Sequence, residues 1–224
     1  MGPGFFDAHQ RATVEAAMAR IIPTDDQPGA REAGTIDFLD RYLSGLDYIY
    51  AKPDGSGFET LEGKRAEAWQ RRIDILRARY VEGIEELDRR SRIRFGGEFA
   101  ALDPTQQDEI LSDTERSAPE AGATVAEAKV AAGYGAPVEP ALQQTSTEVE
   151  LEFFPLLCLH TRQGFYADPI YGGNRDRIGW EVIGFPGPKS LAEVHSGRYS
   201  ALPWFAEGHN TPGREDDGGA QEQA

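Results

Sequence analysis

The sequence predicts a mainly α fold: an irregular helical bundle followed by a long Gly/Pro/aromatic-rich C-terminal arm lacking regular structure. Three observations lead there. Apolar residues recur at steps of three and four in successive segments, no stretch alternates convincingly at the period of a strand, and two segments open on N-capping residues. Over 224 residues, 39% hydrophobic and 27% charged side chains form a globular rather than a disordered balance. That length allows one domain of ordinary size, or two small ones.

The first helix is expected from about Asp7 to Ile22, with Val14, Ala17, Met18 and Ile21 as its stripe. Asp7 and Gln10 form a capping box, Phe6 supplies the staple, and Pro23 ends the run because it cannot donate the next hydrogen bond. A second helix follows over Ala33–Gly45 with Ile36, Leu39, Leu43 and Leu46. Residues 51–63, rich in Gly, Pro, Asp and Ser, read as an exposed loop. The longest helix is expected over Lys64–Ser91, with Trp69, Ile73, Leu76, Tyr80, Ile84 and Leu87 on one face. Residues 64–94 carry ten basic and six acidic side chains, which suits a solvated face or an electrostatic partner for the acidic remainder.

Asp103-Pro104-Thr105-Gln106 starts a fourth helix that should run to about Glu115. Nine alanines with scattered Gly and Pro over residues 117–147 suggest a surface excursion with a short helix near Val125–Ala132. A fifth helix should begin near Ser146 or Thr147, with Glu148, Glu150 and Glu152 complementing its dipole. It becomes apolar all round at Phe153–Leu159, as a central core helix does, and Pro155 should kink it or mark a junction.

The net charge of −15 excludes nucleic acid as the expected partner, since that affinity comes from cations neutralising phosphates. It also argues against docking on anionic lipid. One cysteine, Cys158, excludes an intrachain disulfide framework, a Cys-rich zinc site and a cysteine-ligated cluster. No stretch approaches the apolar length of a membrane span, so no direct membrane insertion is expected. Met1-Gly2-Pro3-Gly4 opens without a basic or apolar leader region, so no export signal is expected. No CxxCH haem site and no GxGxxG between strand and helix are present, and no cofactor is expected in this chain. His9, His160, His195 and His209 show no metal-ligand spacing and read as surface or hydrogen-bonding residues. Asp168 with Asp176 as an acid/base pair, or Arg162, Arg175 and Arg177 as carboxylate clamps, are weaker readings than a turn former and salt bridges. No catalytic residue is assigned.

From Gly164 to Pro188 there are six glycines, three prolines and five aromatics in 25 residues. Glycine permits close backbone approach and proline fixes φ, so such a run holds a defined shape without regular structure. Its rings are interface-anchor material. The same composition also suits an arm that packs onto its own helices.

The run GFYADPIYGGNRDRIGWEVIGFPGP over residues 164–188, with Ile21-Ile22-Pro23-Thr24-Asp25, Pro28-Gly29-Ala30 and Glu32-Ala33-Gly34 near the start, resembles the gluconate 2-dehydrogenase subunit 3 family. These are small (gamma) subunits of FAD-dependent sugar and sugar-acid dehydrogenases. The resemblance implies a non-catalytic subunit that binds a glucose–methanol–choline-type flavoprotein, with FAD in that partner and often a cytochrome c subunit completing the complex. It implies a complex on the periplasmic side or at the membrane, many relatives carrying a twin-arginine leader. Without a leader in these residues, the cytoplasm stays open.

The expected organisation is a helical domain over 1–163, a partner-binding arm over 164–205 packed on it, and a disordered tail over 206–224. The expected partner-binding residues are Phe165, Tyr166, Asp168, Tyr171, Gly172, Gly173, Asn174, Arg175, Trp180 and Phe185. The expected function is to bind and stabilise the flavoprotein and to assist its export. The other readings are a stand-alone sugar-binding module or enzyme using the aromatic loop, and a transient assembly chaperone.

Overall fold

Asp7 opens the first helix as its spacing predicts. Its carboxylate accepts from the Gln10 amide at 2.8 Å, and Gln10 Oε1 accepts the Asp7 amide at 3.2 Å, ahead of α1 (Ala8–Ile21). Phe6 does not act as a staple. Its ring packs edge-on to Tyr80, 5.8 Å between centroids, because the helix offers Arg11 rather than an apolar residue one turn in. The computed structural model describes residues 4–117, 147–185, 187, 188 and 193. The helix expected near Val125–Ala132, the 206–224 tail, His195 and His209 lie outside the described residues.

The remaining helices are α2 (Thr35–Ser44), α3 (Gly63–Phe95), α4 (Pro104–Ser117), α5 (Phe153–Tyr166) and the short α6 (Ile178–Val182). Among the described residues there is no sheet, only an isolated antiparallel bridge between Ala51 and Phe58. The fourth start matches its expected box: Gln106 N–H donates to Asp103 at 3.0 Å and Gln106 Oε1 accepts the Asp103 amide at 3.3 Å.

The fifth helix differs from its expectation. A 3₁₀ turn over Thr147–Glu150 precedes it, and α5 begins only at Phe153 with Glu152 at its N-cap. Pro155 therefore sits in the first turn, where its missing N–H has no intrahelical partner, and the chain changes direction ahead of it. Glu152 does not cap through its side chain but pairs with Arg79 at 2.6 Å.

α5 is the central element and packs against α1, α2, α3 and α4. Leu156 and Leu157 are buried with Val14, Leu39, Leu43, Leu76, Leu87 and Ile110. Part of the basic face of α3 pairs with acidic residues of the same chain. Arg72 pairs with Glu148, Arg92 with Glu98, and Arg94 with both Glu109 and Asp113. Cations of one helix thus pair with acidic residues of three other segments, on a face that is also partly solvated.

Candidate functional site

The last turn of α5 is the platform for the arm. Asp168 caps a 3₁₀ turn (Pro169–Tyr171) by accepting the Ile170 amide at 2.9 Å. The chain then folds back so that Gly173 presses on the Gly164 carbonyl and Gly179 on the Phe165 carbonyl. A Cβ at either position would collide with backbone, so these glycines are required by close approach.

Between them Asn174, Asp176 and Arg177 take left-handed backbone, with φ of 49°, 55° and 64°. Each such residue costs about 1 kcal/mol or more, so surrounding bonds must hold it. Asn174 supplies two of them while wholly buried: its Nδ2 donates to Ala167 O at 2.9 Å and its Oδ1 accepts Gly179 N–H at 2.8 Å. Arg175 adds a backbone bond to Ala33 O at 2.8 Å and an ion pair with Asp37 at 2.8 Å. Trp180, 6% exposed, donates its indole N–H to Tyr166 O at 2.8 Å, and Phe185 stacks edge-on against it at 5.3 Å.

Beside the arm lies a cleft of about 530 Å³, the size of a small-molecule site. Phe38 and Tyr42 of α2, Tyr48, Trp69 of α3, and Tyr166 and Tyr171 form its walls. Tyr171 ties the arm to the 51–58 hairpin: its hydroxyl accepts the Ala51 amide at 3.3 Å and its ring meets Phe58 at 5.6 Å. Trp69 donates to the Tyr50 hydroxyl at 3.2 Å, with the Arg72 guanidinium over its ring at 4.6 Å.

A buried polar chain underlies the cleft. Arg72 is ion-paired to Glu148, whose Oε1 lies 2.5 Å from His160 Nε2. His160 Nδ1 in turn lies 2.9 Å from the Tyr80 hydroxyl. Burial, reinforced by the Arg72 charge, pushes His160 down to about 3, so the imidazole is neutral. The hydrogen-bond network then assigns the proton to Nε2, donated to Glu148, while Nδ1 accepts from Tyr80. Burial also raises the Tyr80 and Tyr42 hydroxyls, which stay protonated.

Residues 8–187 match the family model of gluconate 2-dehydrogenase subunit 3, body and arm together. The chain belongs to that family. Membership implies a small subunit of a dehydrogenase complex, in partnership with gluconate 2-dehydrogenase catalytic subunits. No curated protein and no solved structure matches this subunit. Among its described residues, no helix is long and apolar enough to cross a membrane, and no group of three His, Cys, Asp or Glu is placed to hold a metal ion.

The structure divides the ten expected partner-binding residues of the subunit. Phe165, Gly173, Asn174 and Trp180 are buried against their own chain. Tyr166 and Arg175 are exposed, and Asp168, Tyr171, Gly172 and Phe185 are half-buried. Asp168 acts as a turn former and Asp176 is exposed in the next turn, while Arg162 donates to Cys158 O at 3.4 Å.

Sequence reasoning missed the cleft and the exposed pair Val182 and Ile183, 37% and 51% accessible. Two adjacent apolar residues ahead of Gly184 were the available signal for the pair. Nothing periodic marks the cleft, because its walls come from segments far apart in the chain.

Proposed function

We propose that this chain is the non-catalytic small subunit of an FAD-dependent carbohydrate dehydrogenase. It binds and stabilises a glucose–methanol–choline-type flavoprotein subunit through the arm and assists its export. FAD and the hydride transfer belong to that partner. A cytochrome c subunit is a further member of the complex.

The observation that carries this reading is the arm itself. A run with three left-handed residues is anchored by the two hydrogen bonds of buried Asn174, a shape costly for the free chain and useful to a preorganised surface. In this reading Phe165, Gly173, Asn174 and Trp180 set the shape of the arm from inside. Tyr166, Arg175, Val182 and Ile183 offer the surface, with Asp168, Tyr171, Gly172 and Phe185 at its edge. Binding the folded flavoprotein stabilises it by mass action.

Coexpression of the full chain with a glucose–methanol–choline-type flavoprotein of its own host tests this. The expected result is a stoichiometric yellow complex with sugar-dependent dye reduction, and no turnover from the small subunit alone. Flavin or turnover in the isolated chain would return it to the stand-alone reading. A flavoprotein that stays folded and active after the chain leaves would make it a chaperone.

A further inference from the structure

We propose that the aromatic cleft beside the arm binds a neutral, polyhydroxylated ring, a mono- or disaccharide. Its walls are six aromatic side chains, surfaces on which the C–H face of a sugar ring buries apolar area. Its polar groups are mixed in kind. The Gln163 amide offers two donors and an acceptor, and the Tyr48 and Tyr166 hydroxyls offer both. Among the described residues these three side chains have no hydrogen bond with one another or with a neighbour. A sugar hydroxyl, donor and acceptor at once, satisfies such a set, whereas a quinone brings acceptors alone.

Charge decides between a neutral sugar and a sugar acid. Among the described residues, the cation lining the cleft is Arg72, and its charge is already matched by Glu148. A second carboxylate, Asp168, also lines it. An aldonate entering here meets the neutral Arg72–Glu148 pair, the Asp168 carboxylate and, among the described residues lining the cleft, no unmatched cation, so the cleft discriminates against the anion.

The test uses the full 224-residue chain without any partner, titrated calorimetrically and by saturation-transfer NMR. The probes are glucose and cellobiose, with gluconate and a water-soluble ubiquinone analogue as comparators. The expected result is saturable binding of at least one neutral sugar, at least tenfold tighter than gluconate or the quinone. Trp69→Ala and Gln163→Ala should each weaken it tenfold or more; Gln163 is exposed, so its replacement leaves the fold intact. No saturable sugar binding, gluconate or quinone binding as tightly as the sugars, or sugar affinity unchanged in both variants would each overturn the proposal. The inference goes beyond the subunit reading and fails separately from it, because this titration needs no flavoprotein and the coexpression test needs no sugar bound to this chain.

Discussion

Glu148 Oε1 lies 2.5 Å from His160 Nε2, while its other oxygen is ion-paired to Arg72, so one buried carboxylate joins the floor of the cleft to the core. Removing that carboxylate leaves Arg72 largely buried without its counter-charge. Glu148→Ala should cost about 3 kcal/mol, the lower end for a broken buried pair because Arg72 retains some solvent contact. Combining Arg72→Met with Glu148→Gln removes both charges and keeps an acceptor for His160, so most of the loss should return. Urea unfolding of the three proteins checks this; a double variant no more stable than Glu148→Ala would refute the pairing argument.

The neutral state of His160 gives a pH dependence of fixed sign. Its folded value lies near 3, below the 6.5 of an exposed histidine, so between those values the unfolded chain binds more protons. The stability it contributes is present above pH 6.5 and lost as the pH falls toward about 3. Glu86, drawn down to about 2 by hydrogen bonds from Arg89 and Arg90, loses its contribution as pH falls from 4.5. The difference between wild type and His160→Asn isolates the histidine: uptake approaching one proton per unfolding event near pH 5 should vanish in the variant.

His9 works in the opposite direction. The hydrogen bond with Asp88 at 2.6 Å raises it above 6.5, with Glu98 adding charge attraction. Its contribution is complete below pH 6.5 and is lost as pH rises through the folded value. His9→Gln should therefore flatten the stability profile on the alkaline side of pH 6.5 and leave the acid limb unchanged, which thermal melts across that range measure.

The features legible in the sequence are those written at short range. Asp7 with Gln10 and Asp103 with Gln106 are caps three residues apart, and Ile73 to Leu87 show their burial as a period. Glu148 was legible as an acidic residue near a helix start and nothing more. Its true partners, Arg72 and His160, are reached only after the chain has folded, and an ion pair across 76 positions leaves no periodic trace. Trp69 illustrates the same limit. It continues the apolar stripe of α3 in the sequence, yet it lies half-buried at the cleft because α3 outruns the core there. In the arm, composition announced a defined shape but not which rings would turn inward.

Asn174 holds the left-handed turn by two hydrogen bonds, and Asn174→Ala deletes both while keeping the unfavourable φ. About 2 kcal/mol of local stability should be lost, confined to the arm. Faster amide exchange at Gly179 with unchanged exchange in α5 is the expected signature. Uniform loss of protection across α5 would mean instead that arm and body unfold together.

Two substitutions separate shape from surface in the arm. Trp180→Ala empties a buried site and removes the bond to Tyr166 O, so it should cost about 3 kcal/mol of arm stability and weaken partner binding indirectly. Ile183→Asp touches an exposed side chain, so stability should hold within about 0.5 kcal/mol. If that face meets the flavoprotein, a carboxylate desolvated there should weaken the complex a hundredfold or more. Binding titrations run beside urea melts read the two effects apart. Equal affinity of Ile183→Asp and wild type would remove Ile183 from the interface, and full stability of Trp180→Ala would mean that the indole is not what holds the arm in place.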